Sequence, residues 1–155
     1  MSKEKERKVL NYLWKIAFVL FFIFSVFGFN YKILYNSGDS MTPTIVNAQM
    51  IVMERYWGEC YPDRFDIVVI KSSDDGDTLN KRIVGMPDEI FEVRDGIIYI
   101  NDKKMDDPYV VVTRYFSVER MLIPKDCYYV VGDDRENSLC GIFHRREIWG
   151  IVIFF

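Results

Sequence analysis

Glu89-Ile90-Phe91-Glu92-Val93-Arg94-Asp95-Gly96-Ile97-Ile98-Tyr99-Ile100 reads as a β-hairpin. Two runs rich in β-branched and aromatic residues flank Asp95-Gly96, a pair suited to the positive φ angles of a two-residue hairpin turn. The same strand signature recurs outward from this hairpin, in Met50-Ile51-Val52-Met53, Phe65-Asp66-Ile67-Val68-Val69-Ile70, Val110-Val111-Val112, Cys127-Tyr128-Tyr129-Val130-Val131 and Ile148 to Phe155. Gly, Pro, Asp and Asn punctuate these runs, and Ser72 to Thr78 reads as a polar, acidic loop between two strands. After residue 30 no apolar period of 3.6 persists over ten residues, and there is neither repeat nor low-complexity tract. The predicted domain is mainly β.

The first thirty residues differ. Met1 to Lys8 is short and charged, and Val9 to Phe29 is apolar apart from Asn11 and Lys15. Twenty-one helical residues reach about 31 Å, enough to cross a hydrocarbon core. Lys15 is tolerated near one end if its ammonium snorkels toward the interface. The bulky Gly28-Phe29-Asn30-Tyr31-Lys32 offers no Ala-x-Ala-like cleavage site, so an uncleaved anchor is predicted rather than a removed leader. Basic residues before the span predict a cytoplasmic N-terminus over 1–8, a transmembrane anchor over 9–29 and an extracytoplasmic domain over 30–155. The lipid bilayer is thus the first predicted partner.

Half of the 155 residues are hydrophobic and 16% aromatic, which suits a packed core and argues against general disorder. Residues 1–35 carry six Lys/Arg against two Asp/Glu, and the remainder fourteen against twenty-one, so the main domain is acidic. An acidic domain repels phosphate backbones, and no nucleic-acid partner is expected. Cys60, Cys127 and Cys140 lack metal-ligand spacing and are odd in number. Cys127 falls in a strand-like run, while Cys60 and Cys140 are open to pairing; all three are read as structural or incidental. Asp74, Asp75 and Asp77 lack the spaced ligands and closing Glu of a calcium loop. Neither a metal nor another cofactor is expected.

The chemistry centres on two segments. Ser37-Gly38-Asp39-Ser40-Met41-Thr42-Pro43-Thr44 offers a serine, and Lys81-Arg82-Ile83-Val84-Gly85-Met86-Pro87 a lysine. A serine hydroxyl is a weak nucleophile and needs a base within hydrogen-bond reach. Lysine serves only when neutral, so burial or a nearby cation must lower its pKa from about 10.4. Leu79, two residues before Lys81 on one strand face, favours such desolvation; an exposed strand lysine is the ordinary alternative. The single histidine, His144, leaves a histidine-based triad little to draw on and is read as a surface or loop residue.

Together with Asp66-Ile67-Val68-Val69-Ile70-Lys71 and Gly132-Asp133-Asp134-Arg135-Glu136-Asn137-Ser138, these segments resemble the four boxes of bacterial type I signal peptidases, in order and behind an anchor. The resemblance extends from about Tyr35 to Ile151. It implies a coiled β-sheet ectodomain on one N-terminal transmembrane helix, in the bacterial cell membrane. It also implies a Ser–Lys dyad serine endopeptidase that removes signal peptides from exported preproteins after small residues at Ala-x-Ala-like sites. Carried over residue by residue, Ser40 is the nucleophile, Lys81 the general base and Ser138 the residue positioning the lysine. Met41 and Ile45, and more weakly Leu79, match positions near the substrate pockets, with ordinary core packing the other reading open to them. Arg82 and Asp133 match a supporting ion pair, the alternative being an unrelated surface pair.

Three departures from the pattern accompany the resemblance. Gly38 stands where some members place a serine that helps bind the oxyanion. Asp88-Glu89 replaces the usual Gly-Asp after the proline, which bears on the turn there. After Ser138 the usual Asp-Ser-Arg run gives way to Leu139-Cys140-Gly141-Ile142-Phe143. That last change motivates a rival reading, a catalytically weak relative that assembles a surface structure such as a pilus. A self-cleaving repressor-type protein shares Ser–Lys chemistry, but the anchor and acidic domain oppose it.

Overall fold

The computed structural model describes residues 3–56, 61–71, 78–109 and 117–155. The chain divides into two units, Met1–Lys32 and Ile33–Phe155. In the first, α1 (Lys3–Asn30) is 28 residues long and buries none of its side chains, so its apolar surface is open to lipid. The predicted span from Val9 to Phe29 lies inside this helix, which runs further at both ends. Lys8 pairs with Glu4 at 2.9 Å one turn earlier, and the Asn30 amide donates to Val26 O at 2.8 Å.

The remaining elements are strands, β1 (Tyr31–Tyr35), β2 (Met50–Arg55), β3 (Ile67–Lys71), β4 (Thr78–Gly85), β5 (Ile90–Arg94), β6 (Ile97–Ile100), β7 (Lys103–Lys104), β8 (Val118–Leu122), β9 (Cys127–Val131), β10 (Gly141–His144) and β11 (Ile148–Phe154), with a 3-10 turn at Arg145–Glu147. They form a seven-stranded sheet in the order β1-β2-β11-β3-β4-β9-β10 and a four-stranded sheet in the order β7-β6-β5-β8. The last strand inserts between β2 and β3, antiparallel to both.

The Asp95-Gly96 hairpin forms as predicted. Its turn residues take φ of 50° and 78°, and Arg94 pairs with Ile97 across it. Strand β3 reads as a continuous apolar run because both of its faces are covered. Ile67 and Val69 join a cluster with Met41, Ile45, Ile51, Met53 and Val152, while Val68 and Ile70 join Ile83, Tyr128, Val130 and Ile148. A third cluster, around Phe91, Val93, Ile98, Ile123 and Tyr129, joins the small sheet to β4 and β9. The strand predicted from Phe65 starts instead at Ile67, since Phe65 takes φ of 75°. The predicted Val110-Val111-Val112 strand lies outside the described residues, as does the 72–77 loop.

Candidate active site

Residues 36–49 leave β1 and return to β2 as a loop closed at its base. Asn36 N donates to Gln49 O and Ala48 N to Asn36 O, at 2.8 and 2.9 Å. Gly38 takes φ of +94°, a backbone that glycine adopts without strain, which gives a physical reason for Gly where a serine was considered. Met41 and Ile45 are wholly buried and pin the loop to the sheet. Ser40 is thereby held one residue from a core anchor.

Lys81 lies in the middle of β4. Directly opposite is Val68, and Leu79 and Ile83 flank it two residues away, so apolar side chains crowd its stem. The residue is 3% exposed. Burial brings the ammonium pKa down to about 8 from an ordinary 10.5, with Cys140 and Asp133 pulling the other way. Its Nζ donates to Ser40 Oγ at 2.7 Å. The predicted serine and lysine, 41 positions apart, meet in one hydrogen bond.

The segment after β9 meets the same loop. Asp134 N donates to Ser40 O at 3.1 Å. A Cβ on Gly132 would stand 2.2 Å from Ser40 O and 2.1 Å from Ser138 Oγ, so only glycine lets these strands of backbone approach. Arg82 grips Asp133 with two parallel bonds of 2.7 and 2.6 Å, and Thr44 Oγ1 donates to the same carboxylate at 2.5 Å. The pair is buried, with side chains 4% and 0% exposed. The surface-pair alternative is therefore displaced: Arg82 and Asp133 tie β4, the segment after β9 and the Ser40 loop together. Tyr109 covers the Arg82 guanidinium at 3.6 Å.

Ser138 is brought to the site's edge, across Gly132 from the Ser40 carbonyl, and its hydroxyl donates to Leu139 O at 3.1 Å. Leu79 is half-buried against the cluster containing Val68 and Ile83. Cys127 and Cys140 are free thiols, which removes Cys140 from the suggested pairing; Cys60 lies outside the described residues. His144 Nδ1 accepts from Arg146 N and caps the 3-10 turn, a structural duty. Among the described residues no group of three potential ligands stands ready for a metal ion, and Asp74, Asp75 and Asp77 fall outside them.

Sequence reasoning missed several supporting residues. Asn36 and Asn80 are both buried and share a 2.8 Å side-chain hydrogen bond. Arg135 donates from Nε to Gly132 O at 2.7 Å and pairs with Asp107 at 2.6 Å, fixing the glycine that abuts Ser40. An isolated Asn or Arg inside a strand or loop run carries no local signal of its partner.

Comparison with known proteins identifies the family. Residues 9–155 match the family model described as signal peptidase, peptidase S26. Signal peptidase I P of Bacillus subtilis subsp. natto is 26% identical, over 99% of this chain and 93% of its own. Signal peptidase I U of Bacillus subtilis is 31% identical, over 90% of this chain and 80% of its own. The crystal structure of a signal peptidase I from Enterococcus faecalis superposes with a TM-score of 0.51 at 27% identity, covering 59% of this chain and 97% of that one. The chain belongs to the peptidase S26 signal peptidases, as a bacterial type I enzyme: a membrane serine endopeptidase acting on exported preproteins.

Proposed function

We propose that Ser40 and Lys81 are the catalytic dyad and that the enzyme cuts preproteins after small residues at Ala-x-Ala-like sites. The 2.7 Å contact between a buried lysine and a serine hydroxyl carries this reading. With Lys81 neutral, the contact reverses: Ser40 Oγ donates to Nζ, and its proton passes to the lysine as the oxygen attacks the scissile carbonyl. The developing oxyanion is met by the Ser40 N–H. Protonated Lys81 then returns the proton to the leaving amine, and a water activated by the same lysine hydrolyses the acyl ester.

The precursor lies extended beside β4. Strand β9 pairs with β4 from Arg82 onward, so among the described residues Thr78–Lys81 present an edge that β9 does not cover. Met41 and Ile45 support the apolar pockets from beneath and Leu79 lines them; a large side chain would find no room to be buried there. Ser138 positions Lys81 once its hydroxyl turns from Leu139 O about χ1. The N-terminus is cytoplasmic and the peptidase domain extracytoplasmic, with Lys3, Lys5, Arg7 and Lys8 before the span supporting that orientation.

The test is cleavage of a signal-peptide-bearing precursor in detergent or lipid, with product ends read by mass spectrometry. Wild type is expected to cut after a small residue, Ser40→Ala and Lys81→Ala to lose the activity, and Ser138→Ala to weaken it. Retained cutting by Ser40→Ala would exclude the dyad, and a folded wild type leaving every precursor intact would favour the assembly-factor rival.

A further inference from the structure

Asn36 and Asn80 form a buried amide bridge beside the dyad. Asn36 Nδ2 donates to both Gly38 O and Val46 O at 3.0 Å, which fixes the orientation of its amide. Its Oδ1 is therefore the end turned to β4, where it accepts from Asn80 Nδ2 at 2.8 Å. Asn80 in turn must present its nitrogen, and its own Oδ1 is left buried without a partner. Both residues are more than nine-tenths buried, with exposures of 5% and 7%.

Asn80 and Lys81 are consecutive on β4, so their side chains leave the strand in opposite directions. The nucleophile loop holds both, through Asn36 on one and Ser40 on the other. The buried Met41 and Ile45 and the Asp134 N–Ser40 O bond hold the loop at and after Ser40. The Asn36–Asn80 bond adds an attachment to β4 four residues before Ser40, on a side chain pointing the other way from Lys81. Asn36 passes the constraint to Ser40 through Gly38, whose carbonyl it grips two residues before the nucleophile.

We infer that the Asn36–Asn80 bridge is a positioning device for the dyad, holding Ser40 Oγ at hydrogen-bonding distance from Lys81 Nζ. The inference rests on the Ser40–Lys81 reading. An unpartnered buried acceptor costs about 1–3 kcal/mol. Asn36 Nδ2 is committed to two carbonyls of the loop and its Oδ1 to the residue next to Lys81, so the bridge links the geometry of the loop to the strand that carries the lysine.

Asn80→Leu tests this, since it keeps the number and branching of side-chain heavy atoms, removes the donor and exchanges one orphaned acceptor (Asn80 Oδ1) for another (Asn36 Oδ1). On full-length enzyme in detergent, kcat for precursor cleavage is expected to fall about 10- to 100-fold while KM stays within about twofold and the thermal midpoint barely moves. Asn80→Ser, too short to reach Asn36, is expected to behave likewise should the leucine variant fail to fold. Wild-type kcat in a folded variant would overturn the inference. So would a kcat loss that only follows a fall in thermal midpoint, or a change confined to KM. Ser40→Ala, run alongside, separates the two readings: activity surviving there refutes the dyad itself, whereas an inactive Ser40→Ala with a fully active Asn80→Leu refutes the bridge alone.

Discussion

Replacing Lys81 with methionine is expected to abolish cleavage and yet make the protein more stable at neutral pH. The folded-state pKa of about 8 lies below the ordinary 10.5 because burial penalises the charged form. Below pH 8 both folded and unfolded chains carry the proton, and the folded one bears a desolvated ammonium. Between pH 8 and 10.5 the folded lysine is neutral while the unfolded one stays charged, so wild-type stability rises with pH through that window. At about 1.4 kcal/mol per pKa unit the rise amounts to roughly 3 kcal/mol. Methionine has nearly the same length and no charge, so the variant escapes the penalty, less about 1 kcal/mol for the lost bond to Ser40. Lys81→Met should therefore exceed wild type by about 2 kcal/mol at pH 7, and the advantage should vanish as pH approaches 10.5. Denaturant unfolding of the detergent-solubilised chain, followed by tryptophan fluorescence across this range, reads the difference directly. A variant less stable than wild type at pH 7, or a gap that does not change with pH, would refute the reasoning.

Other substitutions probe the frame around the dyad. Asp133→Asn leaves the buried Arg82 guanidinium without its counter-charge and should cost about 3–5 kcal/mol in chemical denaturation; a loss under about 1 kcal/mol would return the pair to surface-bridge status. Gly132→Ala drives a methyl group into Ser40 O and Ser138 Oγ, and kcat should drop at least about 100-fold; unchanged kcat would mean the two segments are less tightly apposed than their geometry indicates. Asp88 takes φ of 64° at the turn after Pro87, so Asp88→Gly should stabilise by up to about 1 kcal/mol with cleavage unaffected, and a destabilised variant would contradict the strain assigned to it.

The strands with strong β-branched runs and a recognised turn were legible in the sequence, the Asp95-Gly96 hairpin most clearly. Those missed are of a different kind. Strand β8, Val-Glu-Arg-Met-Leu, alternates poorly and exists by pairing with β5, while β10 is only four residues and is held by β9. Long-range partners decide such elements, and local propensity does not report them. At the site, Ser40 and Lys81 were visible because their segments carry a pattern, and the crowding of Lys81 was foreshadowed by Leu79. The depth of the Arg82–Asp133 pair was not, because burial of an ion pair depends on what covers it, here Thr44 and Tyr109. Asn36 and Asn80 were invisible for the same reason: each is an ordinary polar residue until the other is opposite it.

Lys81 as a buried base is tested by the pH dependence of single-turnover precursor cleavage, which isolates the chemical step from product release. A lysine base with pKa near 8 is about one-tenth neutral at pH 7, against less than about a thousandth for an unperturbed lysine. The single-turnover rate is expected to rise tenfold per pH unit and level off with a midpoint near pH 8, and to be absent in Ser40→Ala. A midpoint near 10.5, or a rate flat across pH 7 to 9 in folded enzyme, would contradict Lys81 as the buried base.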